Sequence, residues 1–207
     1  MKPIFAAAAL AGMLGGCSVY RDATSPRIDP GANWRAVATD SDRDSLRTWR
    51  QAWDEALPEA KTADNGVIAA DPVLFDPDRA LPDALPPAGR YRCRTFKLGK
   101  AGTAPLAFVA YPWFECSVTD QGQAKALTKL TGSQRPTGLL FPDTAARAIF
   151  LGTLVLGDES APLRYGIDDD RDIVGYFEKI EARRWRLVMP YPRFESKLDV
   201  TELVPAE

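Results

Sequence analysis

From Gly89 onward the chain is written as short apolar runs at hairpin spacing, and this rhythm constrains the fold more than any other feature. The runs cover 90–98, 107–118, 124–131, 137–141, 147–156, 173–180, 184–189 and 194–204. In 184–189, Trp185, Leu187 and Met189 alternate with Arg184, Arg186 and Val188. In 194–204, Phe194, Leu198, Val200 and Val204 alternate with Glu195, Lys197, Asp199 and Thr201. A period of two is the pattern of a half-buried antiparallel strand. About eight such strands, punctuated by Gly122, Gly138, Gly157 and Gly166, predict a mainly β fold: a small closed antiparallel barrel over 89–207. Gly89 to Val118 reads as the hairpin that opens it, with Phe108, Phe114, Cys116 and Val118 on one face of its second strand.

Ahead of the barrel, Leu46, Trp49, Trp53 and Leu57 recur at helical spacing and predict an amphipathic helix over 42–57. Thr39, Ser41 and Asp42 are candidate N-caps, Ser41 with Asp44 imitates a capping box, and Pro58 limits the far end. The two tryptophans could line a ligand site. A periodic stripe more often packs, so the helix is expected to dock on the barrel. From 60 to 87 the density of X-Pro pairs predicts an ordered, irregular connector that buries Val73, Leu74 and Phe75. Residues 34–88 are thus helix plus connector, and 17–33 a polar tether.

The chain contains no histidine, which removes Ser-His-Asp and Cys-His catalysis and histidine metal ligands from consideration. Its 26 basic and 28 acidic residues are nearly balanced, so there is no bulk attraction to nucleic acid or anionic lipid. No phosphate-cradling glycine loop, metal-ligand spacing or nucleophile elbow is present, and no cofactor is implied.

The first residues, MKPIFAAAALAGMLGGCSVY, carry Lys2, an apolar run from Ile4 to Leu14 too short to span a bilayer, and then Leu14-Gly15-Gly16-Cys17. This resembles the bacterial lipobox. The resemblance implies removal of 1–16, lipidation of Cys17 and a membrane anchor of several acyl chains. Ser18 after the cysteine implies the periplasmic face of the outer membrane. In such a compartment thiols tend to be oxidised, and Cys93 and Cys116 each lie on the apolar parity of their strand. A structural disulfide is therefore expected. A redox pair is the alternative, but the Cys-x-x-Cys spacing is missing.

Candidate recognition residues are fewer. Gln134 and Arg135, in the polar loop between two strands, suit an anionic or amide group, although a plain turn explains them too. Tyr111 and Trp113, with Tyr176, Phe177 and Trp185, could line a cavity or fill the barrel. The run Asp168-Asp169-Asp170-Arg171-Asp172 lacks the ligand alternation and glycine of a calcium loop, and reads as a solvated turn. Tyr111-Pro112-Trp113-Phe114-Glu115 is echoed by Tyr191-Pro192-Arg193-Phe194-Glu195, which predicts matching breaks in two strands.

Taken together, the lipobox, DRDSLRTWRQAW, GRYRCRTFKLG, AYPWFEC, LTGSQRPTGLLFPD, FLGTLVLGDE and YGIDDDRDIVG resemble an uncharacterised bacterial lipoprotein family, the domain of unknown function numbered 4893, over 33–205. That family implies an envelope location and no catalytic residue. More loosely, helix plus eight strands is similar to lipocalin-type barrels and to barrel-shaped periplasmic lysozyme inhibitors, a likeness of fold alone. The leading expectation is a non-enzymatic anchored barrel that binds a small molecule or another envelope component. A protein-binding inhibitor and a histidine-free envelope hydrolase are the alternatives. A binder needs an open cavity, an inhibitor a projecting loop on a filled barrel, and a hydrolase convergent carboxylates.

Overall fold

A computed structural model describes residues 28–157 and 159–206; the expected signal segment, Cys17 and the expected tether up to residue 27 lie outside the described residues. Nine strands form one antiparallel sheet: β1 (Gly89–Lys100), β2 (Phe108–Ala110), β3 (Phe114–Gln121), β4 (Ala124–Lys129), β5 (Gln134–Pro142), β6 (Arg147–Leu156), β7 (Asp172–Glu181), β8 (Arg184–Pro190) and β9 (Ser196–Pro205). Their order is β2-β1-β3-β4-β5-β6-β7-β8-β9, and β1 also pairs with β9 from Tyr91↔Pro205 to Lys100↔Ser196. The sheet is therefore closed. Because β2 pairs with Phe96–Leu98 and β3 with Gly89–Cys93, these two pieces share one side of β1 and make a single broken stave. The result is an eight-stave barrel, mainly β as the strand rhythm predicts.

The break corrects one expectation. Residues 107–118 do not run as one strand with a single apolar face. The ladder passes from Phe96↔Ala110 to Cys93↔Phe114, so one extra residue is inserted on the β2–β3 side. Pro112 within that insert cannot donate to a ladder. One extra residue reverses the parity. Phe108 accordingly stacks on Phe96 outside the barrel, while Phe114 packs with the inner cluster. Tyr191–Glu195, the echo, forms the β8–β9 connection rather than a break within a strand, and Tyr191 and Glu195 both adopt positive φ there. The two segments are not equivalent halves of the barrel.

The predicted helix over 42–57 is two helices. After a short α1 (Trp34–Val37), α2 (Asp40–Arg47) and α3 (Trp49–Ala63) are separated by Thr48, whose hydroxyl bonds back to the Asp44 carbonyl at 3.0 Å. Thr39 caps α2 by accepting the Asp42 N–H. Pro58 does not end α3: it lies on the exposed face, where the carbonyl it leaves unpaired one turn earlier meets water. The connector likewise holds a further helix, α4 (Asn65–Ala70), before it becomes irregular.

Helix α3 buries Ala52, Trp53, Ala56 and Ala60 against the outside of β1, β8 and β9. Gly99, at φ +69°, permits this approach, since a Cβ there would lie 3.0 Å from the Ala56 Cα. Trp53 is docked under the helix, and Trp49 meets Tyr176 edge-on at 5.6 Å, so both tryptophans pack rather than line a cavity. The irregular connector is fastened to the barrel by Arg186. This side chain is fully buried; it donates to Leu74 and Arg79 carbonyls at 2.7 and 3.0 Å and to the buried Glu178 at 2.7 and 2.9 Å. Arg147 holds the other Glu178 oxygen at 2.7 Å.

Inside the barrel, the floor is filled by Tyr91, Phe150, Phe177, Trp185 and Leu187. The Cys93–Cys116 disulfide joins β1 to β3 within this cluster, with Cα atoms 5.9 Å apart. Ala84 and Leu85 of the connector close that end, and the Tyr91 hydroxyl donates to the Pro87 carbonyl at 2.7 Å. The opposite end is built differently.

Candidate functional site

Along β1 the successive positions of one parity are Tyr91, Cys93, Thr95 and Lys97. The first two belong to the packed interior, and the last two line a cavity of about 400 Å³ at the far end of the barrel. The same change of character occurs along β9, where Leu203 packs in the floor, Thr201 bonds Thr95 hydroxyl to hydroxyl at 2.8 Å, and Asp199 faces the cavity. The volume falls within the range of small-molecule sites. The apolar part of the lining comes from Phe114, Pro136, Leu154, Ile173 and Met189. Helix α2 contributes Asp42 and Ser45 to one side of the mouth, and the Tyr191–Glu195 connection lies on another.

Between the cavity wall and the packed floor, β5 and β6 approach each other closely. Gly138 and Gly152 are paired across β5 and β6, and a Cβ on either would come within 2.4 Å of a strand carbonyl. Only glycine permits this close approach.

Two lysines reach into this space. Lys97 is paired with Asp199 at 3.0 Å, and Asp199 also accepts the Ser196 hydroxyl at 2.5 Å. Burial pushes the Asp199 carboxyl up, and the Lys97 ammonium opposes it. Lys129 differs: only 9% exposed, it has no carboxylate within ion-pair distance and no hydrogen-bond partner among the described residues. Its ammonium rests 3.9 Å above the Phe114 ring. Burial, and then the nearby Lys97, lower its pKa to about 8.

Two acids of the lining, Asp42 and Asp172, are tied into the fold. Asp42 accepts the hydroxyl of Tyr165, which in turn accepts the Thr39 N–H at 3.1 Å, so α2 is tied to the β6–β7 loop. Asp172 accepts the Gly166 N–H on both oxygens, at 3.1 and 2.9 Å. Its pKa is raised to about 6, chiefly by burial and further by Asp42 and Asp169, against the pull of that N–H. Asp168 accepts the Asp170 N–H at 3.0 Å and shapes the turn. Among the described residues, no three acidic or cysteine side chains converge in a metal-ligand group.

The structure distributes the candidate recognition residues unevenly. Gln134 and Tyr111 line the cavity. Arg135 is engaged elsewhere: its guanidinium donates to the carbonyls of Gly132, Gly157 and Glu159 at 2.8, 2.6 and 2.7 Å and braces two loops. Trp113 lies on the outer side, with the guanidinium carbons of Arg94 and Arg92 at 4.5 and 5.1 Å from its ring. Phe177 and Trp185 fill the floor, and Tyr176 packs outside against Trp49. Lys97, Lys129 and Asp199 were not singled out by the sequence reading. A signal was present, since Lys97 shares the parity of Tyr91 and Cys93, and Lys129 that of Leu127.

No curated protein and no solved structure matches the chain. The sequence model of one family, described as Domain of unknown function (DUF4893), matches residues 34–203.

Proposed function

The chain belongs to the DUF4893 family, and from that premise we propose that it is a non-enzymatic lipoprotein, anchored at Cys17 to the periplasmic face of the outer membrane, whose barrel binds a small molecule or a small group presented by another envelope component. One observation carries the binding part of this reading: a barrel filled and plugged at one end holds a cavity of about 400 Å³ at the other. A fold that needed only a core would fill both ends, because empty or solvated interior forfeits packing contacts. Asp42, Asp172 and Asp199, the more buried acids of the lining, each accept a hydrogen bond from within the fold, which favours a structural role for them over a hydrolytic one. The Leu14-Gly15-Gly16-Cys17 motif supports the anchor.

Native mass spectrometry of the protein purified from its membrane fraction tests the binding role. A bound species of defined mass that leaves on unfolding is expected. The chain mass alone, together with no thermal stabilisation across a chemically diverse metabolite set, overturns it. For the anchor, Cys17→Ser is expected to move the protein from the membrane to the soluble envelope fraction, and continued membrane attachment refutes that part.

A further inference from the structure

The cavity contains one cation that the fold itself does not use. Lys97 is neutralised by Asp199 at 3.0 Å, and Arg193, at the mouth, lies 3.7 Å from Asp170. Lys129 is nine-tenths buried, lacks any hydrogen-bonding partner among the described residues, and borders the cavity. Burying an ammonium without an anion is costly, and proteins ordinarily either pair such a group or replace it by an apolar residue. Methionine or leucine would satisfy the Phe114 face equally well. The feature that an ammonium adds is a charge directed at an incoming group.

Resting on the reading of the barrel as a small-molecule binder, we infer that its ligand is a monoanionic organic acid whose charged group pairs with Lys129 and whose apolar body lies against Phe114, Pro136, Leu154 and Met189. Lys129 offers a single positive charge at the inner wall, while the lining as a whole carries more carboxylates than cations, Asp42 and Asp172 among them, so one carboxylate fits there and a phosphate dianion does not. Gln134 and Thr95, whose hydroxyl meets that of Thr201, line the same cavity and offer neutral hydrogen bonds to oxygen. The acids Asp169, Asp170 and Glu195 at the mouth are exposed, so salt screens them. They slow the approach of an anion more than they weaken its final pairing with a buried ammonium. Added salt is thus expected to speed association.

Isothermal titration with octanoate and with 1-octanol, which differ in charge and hardly in shape, separates the claims. Octanoate is expected to bind about ten- to a hundred-fold more tightly than octanol, the range of a charge-assisted pair in a desolvated site. In Lys129→Met that preference is expected to vanish while octanol binding persists, and Lys129→Arg is expected to retain much of it. A melt of Lys129→Met, expected to be at least as stable as the parent, shows that loss of binding is not loss of fold. Equal binding of the two probes, unchanged by Lys129→Met, overturns the assignment to an anion and leaves the cavity reading standing. Failure of both probes to bind the parent protein overturns the cavity reading itself.

Discussion

Replacing Arg186 by methionine tests how the irregular connector is held to the barrel. Arg186 is fully buried on the outside of β8 and donates four hydrogen bonds, two to Glu178 and one each to the carbonyls of Leu74 and Arg79. Methionine fills much of the volume and donates nothing. Glu178, also fully buried, would keep only Arg147 on its other oxygen. Removing one partner from a buried ion pair costs about 3–5 kcal/mol, mostly because the remaining charge is stranded. The two orphaned carbonyls keep the value in that range even if the site relaxes and admits water. For a domain of this size the melting temperature should fall by about 10 °C. Urea unfolding followed by tryptophan fluorescence suits the measurement, because the Trp53 ring lies 5.3 Å from the guanidinium carbon. The double variant Glu178→Met/Arg186→Met removes the stranded charge and should lose less than the two single variants added together. A cost below about 1 kcal/mol for Arg186→Met, or strict additivity with Glu178→Met, would refute the reasoning.

Replacing Cys93 and Cys116 together by serine is expected to cost about 3 kcal/mol on the chain-entropy model; unchanged urea midpoints would show that the closed barrel already restrains these strands. Asp172→Asn is expected to stabilise the protein above about pH 6 by about 1–2 kcal/mol, after allowance for solvent screening, and to have little effect near pH 4. The sign follows from a folded-state pKa raised to about 6: the folded chain holds this proton more tightly than the unfolded one, so stability contributed by Asp172 falls as pH rises through that window. Melting curves at the two pH values decide it, and equal shifts at both would contradict the linkage.

The strand rhythm made the barrel legible because each stave has a period of two, but it could not say which parity faces inward. In β9, Leu198 and Val200 form the apolar parity, and they point outward beneath α3. The lumen side is Asp199, Thr201 and Leu203. A barrel partly wrapped by helices is buried on both faces, so hydrophobicity alone does not mark the interior. The inserted residue between Ala110 and Phe114 hid the cavity in a second way, since a parity carried across 111–113 places Phe108 and Phe114 together. Arg135 and Trp113 drew attention as conspicuous residue types, whereas Lys129 looked like an ordinary strand end. Its meaning depends on a missing partner, and missing partners are visible only in three dimensions.

The closure of β1 upon β9 also sets a schedule. Thr95 and Thr201 meet across that seam, yet they are 106 residues apart in sequence. During synthesis, β1 is complete while β9, its final neighbour, does not yet exist. Until β9 arrives, β1 and β8 both present open edges, a hazard for pairing with other chains, and the barrel has no intermediate closed form. Loss of β9 would therefore leave an open, sticky sheet rather than a slightly smaller barrel. Shielding of those two edges until β9 (Ser196–Pro205) is available is therefore part of what this topology demands during folding.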